Sequence, residues 1–304
     1  MGHPRDAARL LAALDRDDGD VVAQLLGPEV VQSALPRMMA RGEVLEARFE
    51  RDGTIWRTDL GDEIGWSVWR SGAYEELEIS AVLGWLASNG RRDGWIIDAG
   101  ANIGTTSIPF ARYGYQVLAI EPVPNTFAML QANVTENDLA AAIVCSNMAI
   151  TDTEGTVEMW TGFGSGQAEL VVEGRVPAME RWGSRGSLVS VPAAPLSSLM
   201  AEHAVEPDQV SLVWADIQGA ETDLIKSARD LWEAGVPLYL EVDPDSLDIK
   251  AGLTQFVSAV CERFGHFVPR DDLLVAGPPR PISGFREWVE TIGSGSYSDA
   301  LLVP

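Results

Sequence analysis

The chain of 304 residues carries 45 acidic side chains against 22 basic ones, a formal net charge of -23. Hydrophobic residues make up 46% and charged residues 22%, an ordinary globular composition that excludes intrinsic disorder for most of the chain. A surface this acidic repels phosphate backbones and anionic lipids. We therefore expect a neutral or cationic small-molecule partner, and neither nucleic acid nor a membrane.

The sequence contains no sign of a secretory leader, a disulfide framework or a zinc site. Cys145 and Cys261 stand far apart, without metal-ligand spacing. The opening segment, MGHPRDAARLLAALDRDD, carries acidic residues where a signal peptide needs an apolar run. No stretch reaches the roughly 18 apolar residues of a membrane span. A soluble cytoplasmic protein of undetermined oligomeric state is expected.

Residues 1–90 are predicted to form an extension that precedes the main domain. Apolar residues recur at helical spacing through the first forty residues. From Glu46 to Arg70, runs of Trp, Ile and Val are separated by Asp52-Gly53 and Gly61-Asp62, which predicts a small β-meander. An amphipathic lead-in helix is expected between Gly72 and Gly90.

Residues 91–304 alternate between strand and helix patterns. Nearly all-apolar strands are predicted at 95–100, 115–122, 141–150, 210–216 and 237–242, with helices between them. This alternation favours an α/β fold with a doubly wound parallel sheet. The alternation lapses over 151–199, where a hairpin and a Gly-rich stretch predict a lid or binding loop.

The strongest local motif is DAGANIG, residues 98–104, at the end of the first strand of this domain. Glycines there allow a tight turn beside a ligand, and the following helix offers free N–H groups. Glu121 ends the next strand, at the spacing where an acidic side chain binds ribose hydroxyls. Asn102 replaces the glycine that admits a pyrophosphate. The motif therefore favours a phosphate-free adenosyl compound such as S-adenosylmethionine.

Several ordered segments resemble the FkbM family of S-adenosylmethionine-dependent methyltransferases: GAYEELE (72–78), IIDAGANIGTTS (96–107), VLAIEPVPNTFAMLQANVTEN (117–137), ADIQGAE (215–221) and YLEVD (239–243). The resemblance covers residues 62–304, including the closing DALLVP. It implies a class I, Rossmann-like methyltransferase fold with a seven-stranded doubly wound sheet. It also implies O-methylation of a hydroxyl on a small molecule or sugar-like natural product, as in secondary metabolism.

The same resemblance assigns residues to the cofactor. The methionine portion is expected at Asp98, Gly100, Asn102 and Gly104, the ribose at Glu121, and the adenine beside Asn147 or Met148, while Tyr74 and Glu75 close over the cofactor. Two alternatives remain open. Asn147 and Met148 also fit a plain strand end, and Glu75 also fits a helix N-terminus, where its charge complements the dipole.

Carboxylates at the ends of two later strands are the candidates for catalysis. Asp216, Glu241 and Asp243 are expected at one edge of the sheet, where open α/β sheets bind ligands. Crowded carboxylates can supply a general base, which we favour, or can bind Mg²⁺ and acidify a hydroxyl. His266 is a rival base.

The acceptor pocket and the reaction class leave alternatives. Trp160, Phe163 and Trp182 lie in the predicted lid, where aromatic side chains are suited to line a substrate pocket. A nicotinamide-dependent oxidoreductase would share the glycine turn and Glu121 but needs a path for a pyrophosphate. A non-catalytic binding protein on the same fold is the other alternative.

Overall fold

A computed structural model describes residues 46–60, 62–161, 168–171, 187–250 and 252–304. The chain divides into two compact units, with the division after Ala73. The lead-in helix lies in the second unit, and the domain boundary at residue 90 stays a prediction. The helices predicted over the first forty residues lie outside the described residues.

The first unit contains a β-hairpin followed by a helix. Strands β1 (Glu46–Arg51) and β2 (Thr54–Asp59) pair antiparallel around the predicted Asp52-Gly53 turn. The third strand of the predicted meander is wrong, because residues 63–71 form helix α1 (Glu63–Ser71). The Asp62 carboxylate accepts a hydrogen bond from the Ile64 N–H at 3.0 Å, which caps this helix. Ile64 and Val68, one helical turn apart, are its buried apolar residues.

The second unit alternates strands and helices. Its first half contains α2 (Glu76–Ser88), β3 (Trp95–Ala99), α3 (Ser107–Arg112), β4 (Gln116–Ile120), α4 (Pro124–Glu136), β5 (Ile143–Ser146), β6 (Ala149–Ile150), β7 (Gly155–Thr161), β8 (Ala168–Leu170), β9 (Ser187–Ala194) and α5 (Leu196–Glu202). Its second half contains β10 (Val210–Ala215), α6 (Glu221–Ser227), α7 (Arg229–Glu233), β11 (Leu238–Val242), α8 (Pro244–Lys250), α9 (Leu253–Arg263), β12 (His266–Pro269), α10 (Arg270–Leu274), β13 (Arg280–Pro281), α11 (Phe285–Ile292) and β14 (Ser298–Val303).

The main sheet has eight strands in the order β13-β12-β14-β11-β10-β3-β4-β5. The five strands from β11 to β5 are parallel, and β14 runs antiparallel beside β11. The α/β doubly wound class is confirmed, and the seven expected strands are joined by the two-residue edge strand β13. Every residue of β10 is buried, as expected for a central strand covered on both faces.

The strand order reverses between β3 and β10. From β3 the chain proceeds to β4 and β5 on one side and later returns to place β10 and β11 on the other. Such a reversal leaves a crevice beyond the carboxyl ends of the strands, where ligands bind in open α/β sheets. The fold thus directs attention to the residues that follow β3 and β10.

The described part of the predicted lid forms a second sheet. Four strands occur in the order β6-β9-β7-β8, with β7 antiparallel to both β8 and β9 and β6 parallel to β9. Strand β7 falls within the hairpin predicted at the start of this segment, β8 and β9 are strands that the sequence did not predict, and the role of a lid stays a prediction. Met159 and Val191 are buried between neighbours of this sheet. The flanking Gly-rich and Arg-rich segments, with Phe163 and Trp182, lie outside the described residues.

Among the residues that the structure describes, no helix has both the length and the apolar character needed to cross a bilayer.

Candidate functional site

The turn after β3 is fixed against both neighbouring strands. The Gly100 and Ala101 N–H groups donate to the Ile120 carbonyl at 2.9 and 3.0 Å, and the Asp216 N–H donates to the Ala99 carbonyl at 3.0 Å. Gly100 has a φ of +85°, and a Cβ there would lie 1.9 Å from the Asp216 carbonyl oxygen. Only glycine allows this close approach. The predicted glycine turn and Asp216 therefore meet at the reversal of the strand order.

Asp98, the fourth residue of β3, is completely buried and only partly satisfied. The Ser107 hydroxyl donates to its Oδ2 atom, while Oδ1 is buried with no hydrogen-bond partner. Burial is the largest cause that raises the pKa of this carboxyl to about 7, with a smaller contribution from Asp216 and an opposing one from Ser107. A buried acceptor without a donor is costly. Asp98 is therefore suited to a ligand that brings an N–H group.

Glu121 lies at the end of β4, where backbone groups orient its carboxylate. The Asn102 N–H donates to Oε2 at 3.0 Å, and the Val123 N–H donates to Oε1 at 2.8 Å. Burial raises the pKa of the Glu121 carboxyl to about 8, against the lowering effect of these two bonds. Each carboxylate oxygen retains an acceptor site. Glu121 is thus held in one orientation with capacity for ligand hydroxyls.

Asn102 serves the turn itself. Its φ is +50°, and its Oδ1 atom accepts from the Ile103 N–H at 2.8 Å. Asparagine tolerates this left-handed backbone better than most residues, because its short side chain bonds locally. Through its own N–H, Asn102 also joins the turn to Glu121. Asn102 therefore fixes the shape of the turn, and its contact with the methionine portion of a cofactor stays a prediction.

The ends of β10 and β11 bring Asp216 and Glu241 together, as the sequence predicts. The Gln218 side-chain amide donates to Asp216 Oδ1 at 2.8 Å and to Glu241 Oε1 at 3.2 Å. Burial is the largest cause that raises the pKa of both carboxyls. The charge of Asp216 is the next cause for Glu241, whose pKa is about 10. Gln218 opposes the rise for Asp216. At neutral pH a carboxyl with a pKa of about 10 keeps its proton, so Glu241 is suited to donate a hydrogen bond to a ligand, and Asp216 is the one of the two suited to accept a proton.

Sequence reasoning missed the other half of this cluster. Asp299 on β14 pairs in register with Glu241 on β11. Its pKa is raised to about 7, by burial first and then by Asp216. The Arg270 guanidinium donates to Glu78 Oε1 at 2.6 Å and lies 3.7 Å from Asp299 Oδ2. The closing DALLVP strand contained the available signal, since antiparallel pairing beside β11 brings its early residues to the edge where β11 ends.

Glu75 belongs to the same cluster. Its pKa is raised well above the ordinary value by burial, with further contributions from Asp216, Asp299, Glu78 and Asp98. It precedes α2 with a φ of +56° and makes no side-chain capping hydrogen bond. Glu75 stands at the N-cap position of α2, as the helix N-terminus alternative predicts, and it does so without a side-chain capping hydrogen bond. A contact of Glu75 or of the half-buried Tyr74 with the cofactor stays a prediction.

Asp243 caps a helix. Its Oδ1 accepts from the Asp245 N–H at 3.0 Å, and its Oδ2 accepts from the Ser246 hydroxyl at 2.6 Å, at the start of α8. Within the described ranges, no group of three or more His, Cys, Asp or Glu side chains is arranged to hold a metal ion. The Mg²⁺ alternative at Asp216, Glu241 and Asp243 therefore receives no support from the geometry.

His266 lies away from the cluster. It is exposed at the start of β12, opposite Val303, whereas Pro269 at the end of β12 is opposite Ala300. Val303 and Asp299 are four residues apart on β14, about 13 Å along a strand. The assignment of His266 as a rival base beside Asp216 is corrected on this ground.

Three further candidates have structural surroundings that the sequence did not predict. The Asn147 amide donates to the Glu121 and Pro122 carbonyls at 2.8 and 2.9 Å, which ties the end of β5 to the end of β4. Met148 packs against the main core. Trp160 lies on β7 of the second sheet, with its indole N–H buried and without a hydrogen-bond partner. Their contacts with adenine or acceptor stay predictions.

Comparison with known proteins gives concordant matches. The Methyltransferase FkbM domain matches residues 98–263. Methyltransferase sdnD of Sordaria araneosa is 28% identical over 201 residues, which cover 58% of this chain and 75% of that protein. Methyltransferase FkbM from Methylobacillus flagellatus KT has a similar crystal structure (14% identity, TM-score 0.41), matched over 69% of this chain and 44% of that one. M. jannaschii TYW2, solved in complex with AdoMet, shows 13% identity and a TM-score of 0.41, with 86% of each chain covered.

Proposed function

Because the chain belongs to the FkbM methyltransferase family, we propose that it transfers a methyl group from S-adenosylmethionine to a hydroxyl of a small molecule such as a natural product or sugar-like acceptor. The observation that carries this proposal is the pairing of two carboxylate sets at the reversal of the strand order. Asp98 and Glu121 lie on the β3–β4 side, and Asp216 and Glu241 lie on the β10–β11 side.

The first set fits the chemistry of the methyl donor. The buried, unpartnered Oδ1 of Asp98 is suited to the ammonium of a methionine portion. Glu121, held by two backbone N–H groups, is suited to accept ribose hydroxyls. Gly100 allows the turn to pack against the backbone of Asp216, where a Cβ would lie 1.9 Å from the carbonyl oxygen. When bound, S-adenosylmethionine supplies an electrophilic methyl group on its sulfonium.

The second set fits the acceptor. Methyl transfer to oxygen needs a lone pair aligned with the methyl group and a group that removes the hydroxyl proton. Asp216 and Glu241 provide two adjacent buried carboxyls with raised pKa, and Glu241, whose pKa is about 10, carries a proton at pH 7. We assign Asp216 to accepting the proton of the acceptor hydroxyl and Glu241 to orienting that hydroxyl. The net negative charge of this side favours a neutral or cationic acceptor.

The cofactor half of the proposal is tested by ligand binding. S-adenosylhomocysteine is expected to raise the thermal unfolding temperature and to bind in calorimetry, because it shares the groups assigned to Asp98 and Glu121. NADH in the same assay is expected to cause no shift, since no path for a pyrophosphate follows from the turn. A shift with NADH and none with S-adenosylhomocysteine would refute the proposal.

The catalytic half is tested by substitution. Asp216→Asn is expected to retain S-adenosylhomocysteine affinity while transfer of labelled methyl to a panel of hydroxylated small molecules falls at least about 100-fold, the usual worth of a general base. Asp152→Asn, at an exposed turn residue, is the matched control. Equal turnover in the two variants would remove Asp216 from the mechanism.

A further inference from the structure

Gln218 links the two carboxylates of the acceptor side through one amide group. Its Nε2 atom donates to Asp216 Oδ1 at 2.8 Å and to Glu241 Oε1 at 3.2 Å. We infer that Gln218 is a positioning residue for the proposed methyl transfer, which bridges Asp216 and Glu241 and holds both carboxylates in the orientation that the acceptor hydroxyl requires. This inference rests on the proposed function.

The chemistry of the amide suits this role. A side-chain NH₂ group has two N–H donors, and each of the two carboxylates supplies an acceptor, so one bond goes to each. The bridge uses one oxygen of each carboxylate. Asp216 Oδ2 is left to deprotonate a hydroxyl, and Glu241 Oε2 is left to orient it. Without the amide of Gln218, the two hydrogen bonds that join these carboxyl groups are lost.

The backbone at Gln218 supports the assignment independently. Gln218 has a φ of +49° and Gly219 a φ of +94°. A Cβ at Gly219 would lie 2.8 Å from the Ser246 carbonyl oxygen, so the turn is confined against α8. A left-handed conformation costs about 1 to 2 kcal/mol for a residue other than glycine, and asparagine tolerates it best. Asparagine, however, is one methylene too short to span both carboxylates. The presence of glutamine at this strained position is explained by its reach.

The charges that act on the bridged pair come from six elements or their ends. They are Glu75 before α2, Asp98 on β3, Glu121 after β4, Glu221 on α6, Asp243 after β11 and Asp299 on β14. All six are acidic, and Arg270 binds Asp299 together with Glu78. The amide of Gln218 is therefore the hydrogen-bond donor shared by Asp216 and Glu241 among the described side chains.

The experiment compares Gln218→Met and Gln218→Asn with the parent protein and with Gln255→Met. Methionine keeps the length and removes the donors, while asparagine suits the backbone but does not reach. Gln255 is an exposed helical residue of α9 and serves as the matched control. Infrared spectra recorded from about pH 5 to about pH 11.5 follow the carbonyl band of protonated carboxyl groups, a range that includes the pKa of about 10 of Glu241 and a rise of one pH unit above it. The bands of the pair are assigned by their loss in Asp216→Asn and Glu241→Gln.

In both Gln218 variants, the titration midpoint of the pair is expected to rise by about one pH unit, because hydrogen bonds to the charged form favour it. Labelled-methyl transfer at pH 7 is expected to fall at least about tenfold, while S-adenosylhomocysteine affinity and the Gln255→Met midpoint stay unchanged. An unchanged midpoint in both Gln218 variants would overturn the inference, as would a raised midpoint with full turnover. Failure of the parent protein to bind S-adenosylhomocysteine would count against the proposed function alone, since the titration does not depend on that ligand.

Discussion

Replacing Asp98 with asparagine is expected to stabilise the unliganded protein at alkaline pH while it weakens cofactor binding. Asp98 is 0% exposed, and its Oδ1 atom has no hydrogen-bond partner. Burial raises its pKa from 3.8 to about 7. Asparagine keeps the size and an acceptor for Ser107 but removes the charge that is costly to bury.

The sign and size follow from proton linkage. The folded state holds the Asp98 proton up to about pH 7, whereas the unfolded chain releases it near pH 3.8. The contribution of Asp98 to the free energy of unfolding therefore falls as pH rises between these values and is constant above pH 7. A difference of about three pH units corresponds to roughly 4 kcal/mol, of which about 3 kcal/mol lies between pH 5 and pH 8. Asparagine at this position has no proton to release, so this fall in the free energy of unfolding with rising pH is absent in Asp98→Asn.

The assay is urea unfolding at pH 5, 6, 7 and 8, followed by the fluorescence of the ten tryptophans. The free energy of unfolding of Asp98→Asn, taken relative to the parent protein, is expected to rise by about 3 kcal/mol across this range. Asp152→Asn, at an exposed position, is expected to show a flat difference. Parallel curves for Asp98→Asn and the parent protein would refute the assignment of a buried, destabilising carboxylate.

Gly100→Ala is expected to destabilise the protein by at least about 3 kcal/mol in urea unfolding, because its Cβ would lie 1.9 Å from the Asp216 carbonyl. Gly90→Ala is the control, because Gly90 has a similar φ of +76° but open space around it. It is expected to lose only the free energy of backbone strain, about 1 kcal/mol. Equal losses of unfolding free energy in the two variants would contradict the steric explanation. Arg270→Met is expected to lower the free energy of unfolding by about 2 kcal/mol at pH 8. The loss is expected to be smaller at pH 5, because Asp299, with a pKa of about 7, takes up a proton there. A loss of stability that does not depend on pH in urea unfolding would count against the pairing of Arg270 with Asp299. S-adenosylhomocysteine affinity, measured by calorimetry, is expected to rise from pH 5.5 to pH 8 as Asp98 ionises, and a constant affinity would exclude an ionised Asp98 from the site.

The order of strands and helices after residue 90 could be predicted because each parallel strand is a continuous apolar run. The runs at β3, β4, β10 and β11 are nearly uniform in the sequence and nearly fully buried in the structure. The aromatic and β-branched residues of IGWSVWR favour a strand, which is why the sequence pattern predicts one there. The capping bond from Asp62 to Ile64 and the helical spacing of the buried residues outweighed that preference.

The sequence predicted those residues of the candidate site that lie at the carboxyl ends of strands in the parallel sheet. Asp98, Glu121, Asp216 and Glu241 all come from such ends, so their convergence follows from the fold class. Asp299 was not predictable in the same way, because β14 is antiparallel and brings its amino-terminal end to this edge. The role of Gln218 is not predictable from the sequence, because it depends on the contacts of its uncharged amide with two carboxylates that only the fold brings together.

Arg270 and Glu78 join segments that are far apart in the sequence, and local patterns do not predict such pairing. His266 illustrates the opposite error. A histidine near the end of a predicted helix suggests chemistry by residue type, but the pairing of His266 with Val303 places it at the other end of its strand from the site.

The segment inserted between β6 and β9 begins and ends at neighbouring residues of two paired strands. Ile150 pairs with Ala194, and the Thr151 N–H donates to the Ala194 carbonyl at 3.2 Å. Neighbouring strands are about 5 Å apart, so the two ends of the segment inserted between β6 and β9 lie side by side. We call this inserted segment the cassette. Such a cassette can be grafted from one relative to another without rethreading the main sheet, since insertions are tolerated where the ends already meet. Exchange of this segment is therefore expected to leave the pairing of the eight-stranded sheet unchanged.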